Sequence, residues 1–329
     1  MESSMNRAVV VGTITEVNYK YDAESESKNK KVKKGAWVKD DFKNPIMRVL
    51  VDKGDEKSYI DVQMFPTYEN YESNGVLKEN STFKEFNKLS NLENRGVGAR
   101  IKLTGQFTEN KYVKEDGKTI ARFNQFNAQY ISLSDVGQED FAEGSLTGVI
   151  SNMVDEVVND EPTGRMLVEF YTFMGKTDVK SAVLNLIVPE ELVDDVNSEF
   201  SIGSNAEVDV EIKTVTHGAV QNTSTDRGFG SRKANIKSGY TTTEFQIFSG
   251  YELDDTNEAD LKYILTDEEF KNMLKKRKLE LEQLVQEKNH SSGQTARRSG
   301  LGNRTARTEV TATTNEELPF TPDSENPFA

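Results

Sequence analysis

Apolar and polar positions alternate with period two through most of the first 253 residues. In MRVLV (47–51) Met47, Val49 and Val51 share one face, and in SYIDVQMF (58–65) Ile60, Val62 and Met64 do so. ARIKLTGQF (99–107) sends Ile101 and Leu103 inward and Arg100, Lys102 and Thr104 outward, while FNAQYISL (126–133) alternates Phe126, Ala128 and Tyr130. RAVVVGTITEV (7–17) is a β-branched run broken by Gly12. Such runs, bounded by Gly, Asn and Asp, predict half-buried strands. There are five of them, with a mixed segment (66–95) between the third and the fourth.

The pattern then begins again. GSLTGVISNMV (144–154) places Gly148 and Ile150 where the first strand has Gly12 and Ile14. RMLVEFYTF (165–173), VKSAVLNLIV (179–188), AEVDVEIKT (206–214) and TEFQIFSGYEL (243–253) follow as strands, and VPEELVDDVNSEF between them reads as helical. Five strands with an insertion after the third is the layout of the oligonucleotide-binding (OB) barrel. The expected fold is mainly β: two tandem five-stranded OB barrels, 1–134 and 135–253. A β-sandwich or one larger barrel is the alternative. Residues 254–289 are expected to form an acidic connector and an amphipathic helix. That helix opens on the capping-box pair Thr266 and Glu269, and its stripe of Phe270, Met273, Leu274, Leu281, Leu284 and Val285 is interrupted by Arg277. From 290 to 329 apolar periodicity stops, which predicts a disordered linker and tail.

Composition changes this picture in three ways. Across 329 residues, 41 basic side chains face 55 acidic ones, a net charge of −14. Residues 309–329 hold five acids and no base, so without them the charge is still −9. Phosphate binding would therefore have to rest on local basic surfaces. The absence of cysteine excludes disulfides and thiolate chemistry. No segment has the pattern of a signal peptide or a membrane span, so the expectation is a cytoplasmic protein with no membrane partner.

Local basic surfaces do exist. The segment 20–44 carries Lys28, Lys30, Lys31, Lys33, Lys34 and Lys39 around the sole tryptophan, Trp37. Cations along a strand's phosphates and a ring against its bases are what single-stranded nucleic acid requires; a solvated loop with Trp37 capping a barrel is the plainer reading. The segment 107–123 predicts a hairpin turning at Asp116-Gly117, with Lys111, Tyr112, Lys114, Lys118 and Arg122. In the second half, 213–240 carries Arg227, Phe229, Arg232 and Lys233 among glycines, either a binding loop or a disordered insertion. No catalytic arrangement stands out. His217 and His290 lack acids at ligand spacing, so neither a metal nor a cofactor is expected. No phosphate-loop motif occurs.

NRAVVVGTITEV, YIDVQMFPTYENY and the run from Gly98 to Leu133 together resemble the bacterial and phage single-stranded-DNA-binding proteins. The shared marks are Asn6 to Gly12, a central apolar strand, Gly98 to Gly105 in the fourth strand, and a basic hairpin before the last. The resemblance covers about the first 134 residues. It implies a non-enzymatic protein that coats single-stranded DNA, in a family that works as homo-oligomers, with a doubled barrel suiting a bacteriophage source. It also gives meaning to the acidic end of the chain, which carries Pro-Phe twice. By likeness to the family's tail, Glu316, Glu317, Leu318, Pro319 and Phe320, with Pro327 and Phe328 as a second motif, would dock on replication and recombination proteins. The chain departs from the family in having two barrels, one tryptophan, and Ala329 after the final Phe. The competing reading is a structural or protein-interaction module, such as a virion or assembly component; RNA in place of DNA is a third.

Overall fold

The computed structural model describes residues 6–22, 36–39, 47–64, 67–90, 92, 96–135, 137–158, 160–173, 181–217 and 240–298. The chain is mainly β. Strands β1 (Asn6–Val17), β2 (Tyr19–Asp22), β3 (Ala36–Lys39), β4 (Met47–Asp52) and β5 (Lys57–Met64) open it. The insertion holds β6 (Thr67–Tyr68), β7 (Asn70–Ser73), β8 (Val76–Glu79) and helix α1 (Ser81–Ser90). Then come β9 (Arg100–Val113), β10 (Ile120–Leu133), β11 (Phe141–Val158), β12 (Glu161–Phe173) and β13 (Ser181–Val188). Helix α2 (Val193–Glu199), β14 (Asn205–His217), β15 (Tyr240–Glu252), α3 (Glu258–Leu261) and α4 (Asp267–Arg298) complete it.

Pairing places ten strands in one sheet that closes on itself. β1, β4, β5, β10 and β9 follow one another, and β9 returns to β1, making a five-stranded ring. Within it β5 and β10 run parallel (Val62 opposite Phe126), whereas β1–β4, β4–β5 and β1–β9 are antiparallel. β11, β12, β13, β15 and β14 follow in the same order, with β13 parallel to β15 and β14 back on β11. Closure leaves fewer of the edges at which strands would otherwise pair with other chains.

Equivalent positions carry equivalent bonds. Gly98 N–H donates to the Ile14 carbonyl at 2.8 Å, and Gly203 N–H donates to the Ile150 carbonyl at 2.8 Å. Both glycines have left-handed backbones, φ 90° and 99°, where a β-carbon is strained. Gly12 and Gly148 serve another need. A β-carbon on Gly12 would strike the Leu50 carbonyl oxygen of β4, and one on Gly148 the Tyr171 carbonyl oxygen of β12. The correspondence of Gly12 with Gly148 thus reflects the same close approach of the neighbouring strand.

The halves join edge to edge through β1 and β11, antiparallel from Asn6–Leu146 to Val11–Phe141. One buried cluster runs through both, from Val10, Val49, Leu103 and Phe126 to Phe170, Leu184, Val208 and Phe245. Phe107 bridges it: its ring meets Phe126 edge-on at 6.4 Å and Phe245 at 5.2 Å. α1 adds Phe86 and Leu89 to the same core.

Three expectations are corrected. Tyr130 was expected beside Phe126 and Ala128, but the alternation breaks there. Gln129 and Tyr130 are both exposed and Ile131 is buried, so the purely apolar side chain takes the inward position. Arg277 was expected to interrupt the apolar stripe of α4, yet it is as buried as Met273. α4 also continues to Arg298, past the expected end at 289. Its capping box forms as expected: Thr266 N–H donates to Glu269 at 2.9 Å, and Glu269 N–H donates back to the Thr266 hydroxyl at 3.3 Å. The Thr266 N–H, and then the Thr266 hydroxyl donating to the same carboxylate at 2.8 Å, hold the Glu269 carboxyl below its usual range.

The chain divides into two compact units. The larger contains both rings: Met1–Glu109, Asn124–Glu156 and Gly164–Ile264. The smaller gathers the hairpin tips Asn110–Phe123 and Val157–Thr163 with the described residues 265–298.

Candidate nucleic-acid interface

On an OB barrel, the second and third strands offer the open face for a single strand. In the first ring these are β4 and β5. The Arg48 guanidinium forks onto Asp61, Nε to Oδ1 at 2.7 Å and Nη2 to Oδ2 at 3.0 Å, and Nη1 reaches Glu16 at 3.4 Å. The Asp61 bond, partly offset by burial, raises the Arg48 pKa further. Lys57 pairs with Asp52 at 3.0 Å, and Lys53 faces both Glu143 and Glu211. Arg48, Lys53 and Lys57 all face carboxylates. Tyr59 exposes its ring, but its backbone N–H and C=O are bonded to the Thr214 hydroxyl at 2.8 and 3.0 Å.

The corresponding face of the second ring, β12–β13, is closed. Ala182, Leu184 and Leu186 face the core, yet Tyr171, Val183 and Ile187 on the opposite side are buried as well. Across this face Asn124 of β10 takes both backbone groups of Asn185: its Nδ2 donates to the carbonyl at 2.6 Å, and its Oδ1 accepts the N–H at 3.0 Å. Nearby in the same unit, the Arg165 guanidinium forks onto Glu156 at 2.7 and 2.8 Å and reaches Glu244 at 2.9 Å. Burial lowers the Arg165 pKa, but the two carboxylates outweigh it and leave it raised.

The protruding segments are less committed. The β9–β10 hairpin turns where expected: Lys114 N–H donates to the Thr119 carbonyl at 2.8 Å, and Gly117 has φ 70°. The Asp116 carboxylate accepts the N–H groups of Lys118 and Thr119, both at 2.8 Å, and the Thr119 hydroxyl. The Thr119 hydroxyl, then the two N–H groups, lower its pKa to about 2. Tyr112, 54% exposed, meets Phe123, 38% exposed, edge-on with ring centroids 6.3 Å apart. Lys114 and Lys118 are exposed and Arg122 is half-buried. Lys111 is committed elsewhere, its Nζ lying 2.8 Å from Glu280 of α4. Phe123 was not among the sequence candidates, although it stands three residues from the β10 start in a run already read as basic and aromatic.

Trp37 and Lys39 lie in β3, which sits between β2 and β6: Tyr21 pairs with Trp37, Tyr19 with Lys39, and Trp37 with Thr67. Lys28, Lys30, Lys31, Lys33 and Lys34 lie outside the described residues. So do Arg227, Phe229, Arg232 and Lys233, and the tail residues Glu316, Glu317, Leu318, Pro319, Phe320, Pro327 and Phe328. Among the described residues, no three His, Asp or Glu side chains are grouped to hold a metal ion, and no helix is long and apolar enough to cross a membrane.

The fold and its site thus define a mainly β chain with a basic, aromatic hairpin. By sequence it belongs to the YorF family, whose model matches residues 4–287. No curated protein matches it. Among solved structures it is similar to the wild-type single-stranded DNA binding protein from Thermus aquaticus. That match has 12% identity and a TM-score of 0.41, and covers 76% of this chain and 93% of that one. A deletion mutant of the same Thermus protein matches at 11% identity and a TM-score of 0.44, over 78% of this chain and 99% of that one.

Proposed function

We propose that the chain is a pair of tandem OB barrels, bounded near 134 and 253, that coats single-stranded DNA. In this reading the tail, residues 316–328, brings replication and recombination proteins to the coated strand. The observation that carries the DNA reading is the exposed Tyr112–Phe123 pair on a hairpin that also exposes Lys114 and Lys118. Rings beside cations suit base stacking with phosphate contact, and stacking contributes about 1–3 kcal/mol per base. Two further features support the reading. The ring order, with its parallel third and fifth strands, is that of an OB barrel. The first 134 residues also resemble the single-stranded-DNA-binding proteins. Because the β4–β5 cations face carboxylates and the β12–β13 face is buried, binding is assigned to the hairpin and to the lysine-rich segment 20–44. The segment 213–240 is the second ring's candidate for the same role.

Fluorescence anisotropy with labelled oligo-dT at two salt concentrations tests this. Affinity falls as salt rises, because Lys–phosphate contacts release counterions. Trp37 emission is quenched on binding, and Tyr112→Ala and Phe123→Ala each weaken binding about tenfold, within the range for one lost stacked base. An absence of binding at low salt would overturn the proposal. It would favour the rival, a protein-interaction or assembly module, which the net charge of −9 without the tail supports. Equal or tighter binding to oligo-U would extend the substrate to RNA.

A further inference from the structure

The smaller unit contains a contact that bears directly on the hairpin. Lys111 Nζ lies 2.8 Å from Glu280 Oε1, and the other oxygen of Glu280 accepts from Arg277 Nη1 at 3.2 Å. Arg277 is 8% exposed, so it is fixed in place, whereas Glu280 is 57% exposed and open to exchange. Farther along α4, Asn289 Nδ2 donates to the carbonyl of Gly117, in the hairpin turn, at 3.3 Å. Asn289 lies nine positions along the helix from Glu280, a rise of about 13.5 Å. Two contacts so spaced lay the helix along the hairpin tip rather than against one point of it.

We propose that α4 is a latch on the β9–β10 hairpin, and that single-stranded nucleic acid must displace Glu280 from Lys111 to use the whole basic edge. The inference rests on the binding function proposed above. Its chemistry is substitution of one anion for another: the Glu280 carboxylate satisfies Lys111 as a phosphate would, and one ammonium group cannot serve both fully. Burial pushes the Glu280 carboxyl up, but Lys111 and Arg277 more than reverse this and leave it below the ordinary range, so it is ionised and competing at neutral pH. A part-exposed pair of this kind is weak, which suits a contact that must open. It restrains the hairpin without preventing binding.

The experiment compares wild type with Glu280→Gln, which keeps the shape and removes the charge, and with Asn289→Ala, which releases the other end. Glu287→Gln, an exposed acid on the same helix, controls for the change in net charge. Glu280→Gln binds oligo-dT about two- to fivefold more tightly than Glu287→Gln does. Its log-affinity falls more steeply with log salt, by about 0.7, because one more cation meets phosphate. Asn289→Ala changes affinity in the same direction and by less. In a Lys111→Gln background the effect of Glu280→Gln disappears, since the two act through one contact. Circular dichroism verifies that each variant is folded. If wild type binds and Glu280→Gln binds no better than the control, the latch is wrong and the binding function stands. Weaker binding by Glu280→Gln would mean that the helix supports the bound hairpin, which also overturns the latch. If no protein in the series binds, the function itself has failed and the latch with it.

Discussion

Asn6 shows how much one side chain can hold. Its Nδ2 donates to the Phe107 carbonyl at 2.8 Å and its Oδ1 accepts the Phe107 N–H at 2.9 Å, so the amide stands in for a strand partner. Both residues are buried, and removing the amide strands two backbone groups away from water. Asn6→Ala should therefore cost about 1–3 kcal/mol, read from the urea midpoint. Gly148→Ala should cost at least as much, about 1–3 kcal/mol or more, because the added methyl meets backbone rather than a movable side chain. Asp116 is a different case, since its effect is set by pH. Its folded pKa lies near 2 against an ordinary 3.8. A depressed carboxyl adds to stability above its unfolded value, and that contribution is lost as pH falls from about 4 towards 2. A carbon-detected NMR titration should find the Asp116 carboxyl still ionised at pH 3. Titration near 4 would mean that the turn is not held by this side chain.

Elements differ in how plainly the sequence announces them. The capping box of α4 was legible because both partners lie within one turn. Thr266→Ala should loosen that end by about 0.5–2 kcal/mol, seen as faster amide exchange in its first turn. The strands were legible for a similar local reason: inward Val, Ile and Leu recur at every second position. Gly148 could be matched to Gly12 because a neighbouring strand passes each of them too closely for a β-carbon. The paired faces could not be read this way. Nothing near Asn185 in the sequence signals that Asn124, 61 residues away, covers it. Nothing near Lys111 signals Glu280, at a separation of 169. Counting lysines therefore overstated the charge that the hairpin presents. Tyr130 failed for a subtler reason, since one break in alternation reverses which side chain faces in, and period-two patterns carry no warning of it. Phe123 carries no signal of its own in the sequence, because its pairing with Tyr112 depends on β9 and β10 lying side by side.

At the scale of the whole molecule, the joint between the rings is self-complementary. With Gly12 matched to Gly148, Ala8 pairs with its own counterpart Gly144, Asn6 pairs with the counterpart of Val10, and Val10 with the counterpart of Asn6. This is the geometry of a two-fold dimer contained in one chain. The symmetry is broken in size. A β-carbon on Gly144 would lie 2.6 Å from the Phe107 ring, so the glycine makes room for a large neighbour. Ala8 carries that extra carbon, and the residue matching Phe107 in the second ring is the smaller Ile212: each stands two places beyond the partner of its first strand, Gly105 for Ala8 and Val210 for Gly144. The halves are thus matched to each other better than either is to itself. A fragment of residues 1–134 exposes the β1 edge, which invites pairing with a second copy. In that pairing Ala8 would stand where Gly144 does and press on Phe107. The fragment should therefore dimerise weakly, and Ala8→Gly should tighten the dimer despite the flexibility that glycine adds. Sedimentation equilibrium measures both constants. If Ala8→Gly weakens the fragment dimer or leaves it unchanged, the size match at Phe107 does not set the pairing, and the joint must owe its specificity to charged contacts such as Lys53 with Glu211.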